Sequence, residues 1–177
     1  MSLSQRVHVN QDGSAEFQPG LPSDGIHVFR FDKGIKLSEP GEFGQSIFVP
    51  LTVDDKNDPD NGSRTPYFVR VAGDDVGALK RAESDFITLL VQVGLDGEVE
   101  RAFNDPPYLF DSKILPKLVE MLSVMLPDRH IKLETRQAKD GKKCYIVNSW
   151  ALGQTTTGTT TAPKTTGTTG KSGPSWG

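Results

Sequence analysis

The feature that most constrains the fold is a pair of alternating runs joined by a polar segment. Residues 47–53 place an aliphatic side chain at every second position, and a period of two returns at 67–71. A period of two is the signature of a strand with one buried face. Between the runs, residues 54–64 are rich in Asp, Asn, Pro and Gly, the types that end regular structure. The sequence therefore predicts a long hairpin that can form the middle of a small β-barrel.

Three further segments have strand character. Gly25–Phe31 is the first, and after a turn at 32–34 it continues through 35–37. Both of its faces carry apolar residues, so its core face is not identified, which suits a strand that bends across a barrel corner. The segments 131–136 and 144–148 flank an Asp-Gly turn and predict a closing hairpin.

Two helices are predicted between the central and closing hairpins. Apolar residues recur every three or four positions after a capping signal at 73–75, which predicts a helix to about Val93 that Gly94 ends. A second helix is predicted from Asp111 or Ser112 to Leu126. The segment 95–109 is predicted to be irregular, because Asp105-Pro106-Pro107 excludes a helix there.

The order of these elements predicts the fold class. Strands followed by helices and a final hairpin indicate a mainly β protein with two helices, folded as an OB-like five-stranded barrel over 20–150. An α+β roll with two helices on an open sheet is the alternative. Residues 1–19 are predicted to be a flexible N-terminal arm. Residues 151–177 contain ten Thr and six Gly, and are predicted to be a disordered tail.

Composition and motifs exclude several functional classes. No Ser-His-Asp set, paired histidines, glycine-rich phosphate loop or HExxH motif is present, so no enzyme activity and no cofactor is predicted. The acidic segment 54–64 lacks the spacing of a calcium loop, so no metal is predicted either. Cys144 is the single cysteine and is interpreted as a buried, inert thiol. No secretory signal or spanning segment is evident, which predicts a cytoplasmic protein with no membrane association.

The charge distribution limits how a polyanion could bind. The chain has 20 basic and 23 acidic residues, a net charge of −3, and two of the basic residues lie in the tail. Residues 1–150 therefore carry a net charge of −5, so nucleic acid could be held only by a localised basic face.

Basic and aromatic residues nevertheless cluster on the predicted strands. Single-stranded nucleic acid binding requires aromatic rings on which bases stack and cations that follow the phosphates. The alternative is that the aromatic rings are core and the lysines make a soluble sheet edge. The predicted binding residues are Phe29, Arg30, Phe31, Lys33, Lys36, Tyr67, Arg70, Lys132, Arg136, Lys139, Lys142, Lys143 and Tyr145.

Several runs share their order and local sequence with a known family: Leu21–Val28, Phe48–Val53, the polar tip before Tyr67–Val69, and the final hairpin with Asp140-Gly141-Lys142 at its turn. In these runs the chain resembles phage-encoded single-stranded-DNA-binding proteins of the OB-fold type. The resemblance implies an OB fold and sequence-tolerant binding of single-stranded DNA in phage replication or recombination, in the host cytoplasm. Replication or recombination proteins and a second copy of the chain are open alternatives as further partners.

The resemblance has one clear departure. Such proteins often end in an acidic tail that recruits partners, whereas this tail has two Lys and no acidic residue. A non-enzymatic phage structural or decoration protein is the alternative function.

Overall fold

The computed structural model describes residues 7–9, 11, 15–17, 20–42 and 44–153. Residues 154–177 of the predicted disordered tail and most of the predicted N-terminal arm lie outside these residues. Strands β1 Val7–Val9 and β2 Ala15–Phe17 pair as a small antiparallel sheet. The strands of the main sheet are β3 Gly25–Phe31, β4 Lys36–Leu37, β5 Gln45–Val53, β6 Arg64–Ala72, β7 His130–Gln137 and β8 Cys144–Trp150. The helices are α1 Val76–Gln92, α2 Asp96–Phe103 and α3 Leu115–Met125.

The main sheet is antiparallel and is built around β3. β3 pairs on one side with β5 and on the other with β7, which in turn pairs with β8. β5 pairs with β6 along the whole length of β5. On its other edge, β5 pairs with β3 near its end and with β4 nearer its start. β3 and β4 thus act as one bent strand, interrupted at 32–35. The predicted mainly β fold is confirmed, as are the central and closing hairpins.

Over the described residues the main sheet is open, so the predicted OB-like barrel is not confirmed. Within the described residues, no ladder of hydrogen bonds joins the two edge strands, β6 and β8. Backbone groups on these two edge strands form hydrogen bonds with other parts of the chain. The Arg64 amide donates to the Gly20 carbonyl (2.9 Å), and the Gln92 side-chain amide donates to the Ser149 carbonyl (2.9 Å). Each of these bonds satisfies one backbone polar group of an edge strand with a partner outside the main sheet.

The core lies between the inner face of the sheet and the helices. Alternate residues of the strands point inward, and α1 packs against β6 and β8 while α3 packs against β4. The largest fully buried side chains are Phe29, Phe31, Ile47, Leu51, Phe86, Leu90, Leu95, Leu118, Leu122, Leu126, Ile131 and Leu133. This layer explains the predicted amphipathic helices, whose apolar faces are those that meet the sheet.

The described part of the chain contains three helices, so the prediction of two was wrong. α2 occupies much of the segment predicted to be irregular. It places Val99 in the core, has Asp96 and Glu98 in its first turn, and ends at Asn104 in the left-handed conformation. Negative charge in a first turn stabilises a helix, and the prolines at 106–107 end the segment only after α2 is complete. None of the described helices combines the length and apolar character needed to cross a bilayer.

A short segment links the β5–β6 loop to the closing hairpin. We call residues 20–24 the strap. Its Gly20 carbonyl accepts from Arg64, its Ser23 amide donates to Asp60 (2.7 Å), and its Asp24 carboxylate accepts from the Gln137 amide (2.7 Å). The strap therefore bridges the open side of the sheet near the start of β6.

Gly44, just before β5, is a position where a side chain cannot fit. Its φ is +98°, and a Cβ there would lie 2.0 Å from the Ala72 carbonyl oxygen. Gly62 has a similar φ of +90° but open space around it. We expect Gly62→Ala to cost about 1–2 kcal/mol of unfolding free energy through backbone strain alone. Gly44→Ala should cost about 1 kcal/mol more, because β6 must also move. Urea unfolding of both variants checks this; equal losses would contradict it.

Candidate nucleic-acid interface

A row of cationic and aromatic side chains crosses the outer face of the sheet. Lys36 on β4 lies opposite Phe48 on β5, which lies opposite Phe68 on β6. The Lys36 ammonium is 5.7 Å from the centre of the Phe48 ring, and the Phe48 and Phe68 rings meet edge to face at 5.6 Å. Phe68 is 59% exposed. The row thus offers an aromatic surface next to a cation.

Two adjoining depressions extend this row in both directions. They share Thr65 and Pro66, and enclose about 610 and 440 Å³. We call them together the groove. The first is lined by Arg30, Asp32, Lys33, Phe48, Pro50, Leu51, Arg64, Thr65, Pro66 and Asp128. The second is lined by Leu21, Thr65, Pro66, Tyr67, Phe68, Lys142, Lys143, Cys144, Tyr145 and Ile146.

The closing hairpin supplies the cations at one end of the groove. Lys139, Lys142 and Lys143 are exposed around its turn, where Gly141 has a φ of +68°. Tyr145 is 55% exposed and lies opposite Arg136, whose guanidinium is 3.6 Å from the Glu134 carboxylate. These residues lie on one edge of the sheet, next to β6.

The opposite end contains a network of paired charges. The Arg30 guanidinium lies 3.1 Å from Asp32 and 3.6 Å from Asp54. A hydrogen bond with His130 (2.7 Å) lowers the pKa of Asp54, assisted by the charge of Arg30 and opposed by burial. Arg30 is therefore already neutralised by carboxylates, whereas the exposed Lys33 beside it faces the same depression.

The remaining predicted cations lie on the outer face but apart from the depressions. Arg70 is exposed opposite Ser46, two residues from Phe68 on the same face of β6. Lys132 lies between Val28 and Trp150 on the far half of the sheet. The structure brings Lys33, Lys142, Lys143 and Tyr145 together in the lining of the groove, with Lys36 beside its Phe48 ring. The other predicted cations outside the lining are Arg70, Lys132, Arg136 and Lys139.

Two of the predicted stacking residues were wrong. Phe29 and Phe31 are completely buried, because the inner face of β3 is the one that carries His27, Phe29 and Phe31. A base cannot reach either ring. Tyr67 is half-buried against the core, and burial, with the nearby charge of Asp85, raises its pKa to about 12. Most of its ring therefore packs against the core and is not available on the surface.

Sequence reasoning did not include Phe48 and Phe68 among the candidate stacking residues, although a signal was present. Phe68 alternates with Val69 and Val71, which are buried, so the period of two places Phe68 on the outer face. The register then sets Phe48 beside it. Arg64 was also missed; it is exposed and lines the first depression.

Two other groups near the groove have structural explanations. The Cys144 thiol is half-buried, whereas it was predicted to be buried, and partial burial raises its pKa. Among the described residues, His27, Asp58 and Asp60 place three potential donor atoms within 4.8 Å of one another. Hydrogen bonds within this cluster account for its geometry, so we assign no metal to it.

Comparisons with known proteins add no assignment. No family model matches the sequence, and no curated protein matches it. The function of the groove is therefore inferred from its geometry and chemistry.

Proposed function

We propose that this chain binds single-stranded DNA without strong sequence preference, and that the groove holds the strand. One observation carries the proposal: the half-buried ring of Phe48 and the exposed rings of Phe68 and Tyr145 lie along one groove with lysines at both of its ends. Unpaired bases stack on aromatic faces, and cations neutralise the phosphates between them. No catalytic group is invoked, because binding alone is the activity.

The charge of the domain supports a local rather than a general interaction. Residues 1–150 are acidic overall, yet Lys139, Lys142 and Lys143 project from one turn beside the groove. A duplex keeps its base faces inside the helix, so an aromatic surface favours single strands. Stacking is tolerant of sequence, because every base has a π face.

The layout of the sheet supports an OB-like architecture as part of the proposal. If β3 and β4 are counted as one bent strand, β5 and β6 are the second and third, and the helices follow the third. OB folds are partly open five-stranded barrels that bind oligonucleotides on the face of their second and third strands. The Phe48–Phe68 pair lies on that face. The resemblance to phage proteins suggests replication or recombination as the setting.

Fluorescence anisotropy with labelled single- and double-stranded oligonucleotides of equal length tests the proposal. We expect the single strand to bind at least tenfold more tightly, with little difference between mixed sequences. Equal affinity for duplex, or no binding to either, would contradict it. Size-exclusion chromatography in the same buffer tests the alternative, since a phage structural or decoration protein should assemble without oligonucleotide.

Tyr145→Ala should weaken binding without changing its salt dependence. A ring that stacks on a base contributes about 1–3 kcal/mol, so the dissociation constant should rise about 5- to 150-fold. The slope of log K against log salt should stay constant, because no phosphate contact is lost. Val147→Ala is a suitable control, as Val147 is an exposed apolar residue of the same strand outside the groove lining. An unchanged affinity for Tyr145→Ala would remove this ring from the site.

A further inference from the structure

His27 is a buried histidine with oxygen atoms at both ring nitrogens. It is 6% exposed and lies on the inner face of β3, in line with Phe29 and Phe31. Its Nδ1 is 2.7 Å from the Asp58 carboxylate, and its Nε2 is 2.9 Å from the Ser23 carbonyl oxygen. A second carboxylate, that of Asp60, lies 3.7 Å from Nε2.

These contacts determine the charge of the ring. A neutral imidazole carries one N–H and therefore has one donor, whereas the imidazolium has two. The Ser23 carbonyl can only accept, and the Asp58 carboxylate accepts when it is ionised. A neutral ring would leave one nitrogen lone pair facing an oxygen lone pair in a buried site, which is costly. The arrangement is satisfied when both ring nitrogens carry protons.

The neighbouring carboxylate of Asp60 is stabilised in its ionised form. Burial opposes ionisation of Asp60, but hydrogen bonds from the Ser23 amide and hydroxyl and the charge of His27 outweigh it, so the pKa of Asp60 is lowered. Ser23 and Asp60 are thereby tied to each other as well as to His27. The cluster connects three separate segments: β3, the strap and the β5–β6 loop at 54–63.

We propose that the His27 imidazolium is a pH-sensitive clamp that fastens the strap and the β5–β6 loop to β3. When the ring loses its second proton, one of its two bonds, to the Ser23 carbonyl or to the Asp58 carboxylate, is lost. Ser23 then keeps its bonds to Thr135 and Asp60, so the clamp is loosened and not dissolved. The Arg64 amide, bonded to Gly20 of the strap, lies directly after that loop. Acidic conditions therefore hold the clamp closed, and rising pH loosens it near the start of β6.

The other titratable groups around the clamp can be distinguished from His27 by their partners. Asp58 and Asp60 face His27 from the loop, and Asp24 of the strap is bonded to the Gln137 amide. His130 binds the same loop at Asp54, but from β7 and on the outer side of the sheet. A variant at His27 therefore distinguishes the clamp from the His130–Asp54 pair.

Nuclear magnetic resonance on the full chain with ¹⁵N-labelled histidine tests the charge state without any DNA. At about pH 6, we expect the ¹⁵N signals of His27 to show a proton on each ring nitrogen, one hydrogen-bonded to the Ser23 carbonyl and the other to the Asp58 carboxylate. A single protonated nitrogen at that pH would overturn the proposal. Because this readout needs no ligand, failure of DNA binding and failure of the clamp are distinguishable.

Amide hydrogen exchange measures the clamping itself. After correction for the intrinsic pH dependence, exchange at Arg64 should accelerate about tenfold or more between about pH 6 and pH 8, as a charged hydrogen bond is lost. In the Asp58→Asn variant, the Arg64 amide should already exchange fast at pH 6 and should show no such pH response. The His27→Gln variant should behave in the same way if it folds. Asp55→Asn is the matched control, because Asp55 bonds within the loop to Asn57. Overturning results are a parent without pH response, or the same response in Asp58→Asn.

Discussion

Replacing Lys139, Lys142 and Lys143 together with Glu should lower the affinity for single-stranded DNA by on the order of a hundredfold at about 50 mM salt. Each phosphate that a lysine neutralises contributes about 0.7 to the slope of log K against log salt, so losing three should flatten that slope by about 2. The three residues are exposed around the hairpin turn, so the fold should not change. A salt titration by fluorescence anisotropy measures both quantities.

The control for this variant has the same change in net charge on the other side of the domain. Lys80, Lys113 and Lys117 are exposed on or next to α1 and α3, away from the groove. Their replacement by Glu should alter affinity only weakly, through screened long-range repulsion. If the two triple variants lost affinity equally, the hairpin would not be the phosphate-binding element.

Phe29→Ala and Phe68→Ala should have opposite consequences, although both remove a phenylalanine from the same sheet. Phe29 is fully buried, so its truncation should cost about 3–5 kcal/mol of unfolding free energy, enough to unfold a marginal domain. Phe68 is 59% exposed on the outer face, so its truncation should leave stability within about 1 kcal/mol of the parent. It should instead weaken single-strand binding by about 1–3 kcal/mol. Urea unfolding and anisotropy measure the two effects.

Val124→Ala controls for the loss of an exposed apolar side chain. Val124 is 78% exposed on α3, on the helical side of the domain. The Val124→Ala variant should change neither the unfolding free energy nor the affinity for single-stranded DNA appreciably. A Phe68→Ala protein that binds as tightly as the parent would remove the Phe48–Phe68 pair from the site.

Local pattern was sufficient to predict the hairpins. β5 and β6 each carry a clean period of two with one aliphatic face, and the Asp140-Gly141 turn fixes the ends of β7 and β8. α1 was equally clear, because Asp75 caps its first turn and Gly94 takes a left-handed conformation at its end. α2 was missed, since one buried residue in two turns gives a weak periodic signal.

The orientation of β3 could not be derived from its own residues. Ile26 and Val28 on one face are as apolar as Phe29 and Phe31 on the other, and the helical layer decides which face is buried. For this reason Phe29 and Phe31, which were predicted to stack on bases, lie in the core. The open sheet was equally out of reach, because the pairing of strand edges is decided by segments that are distant in sequence, as the bonds of Gly20 with Arg64 and of Gln92 with Ser149 illustrate.

The position of the groove on the outside of an unclosed sheet has a consequence for how a long polymer could be loaded. Among the described residues, none covers Phe68 and Tyr145 from above, and both remain more than half exposed. A strand lying there is laid in sideways, at any point along its length, and needs no free end to thread. A protein that works in this way can occupy the middle of a strand that is still being unwound or copied, and can leave it by peeling off rather than by sliding to a terminus.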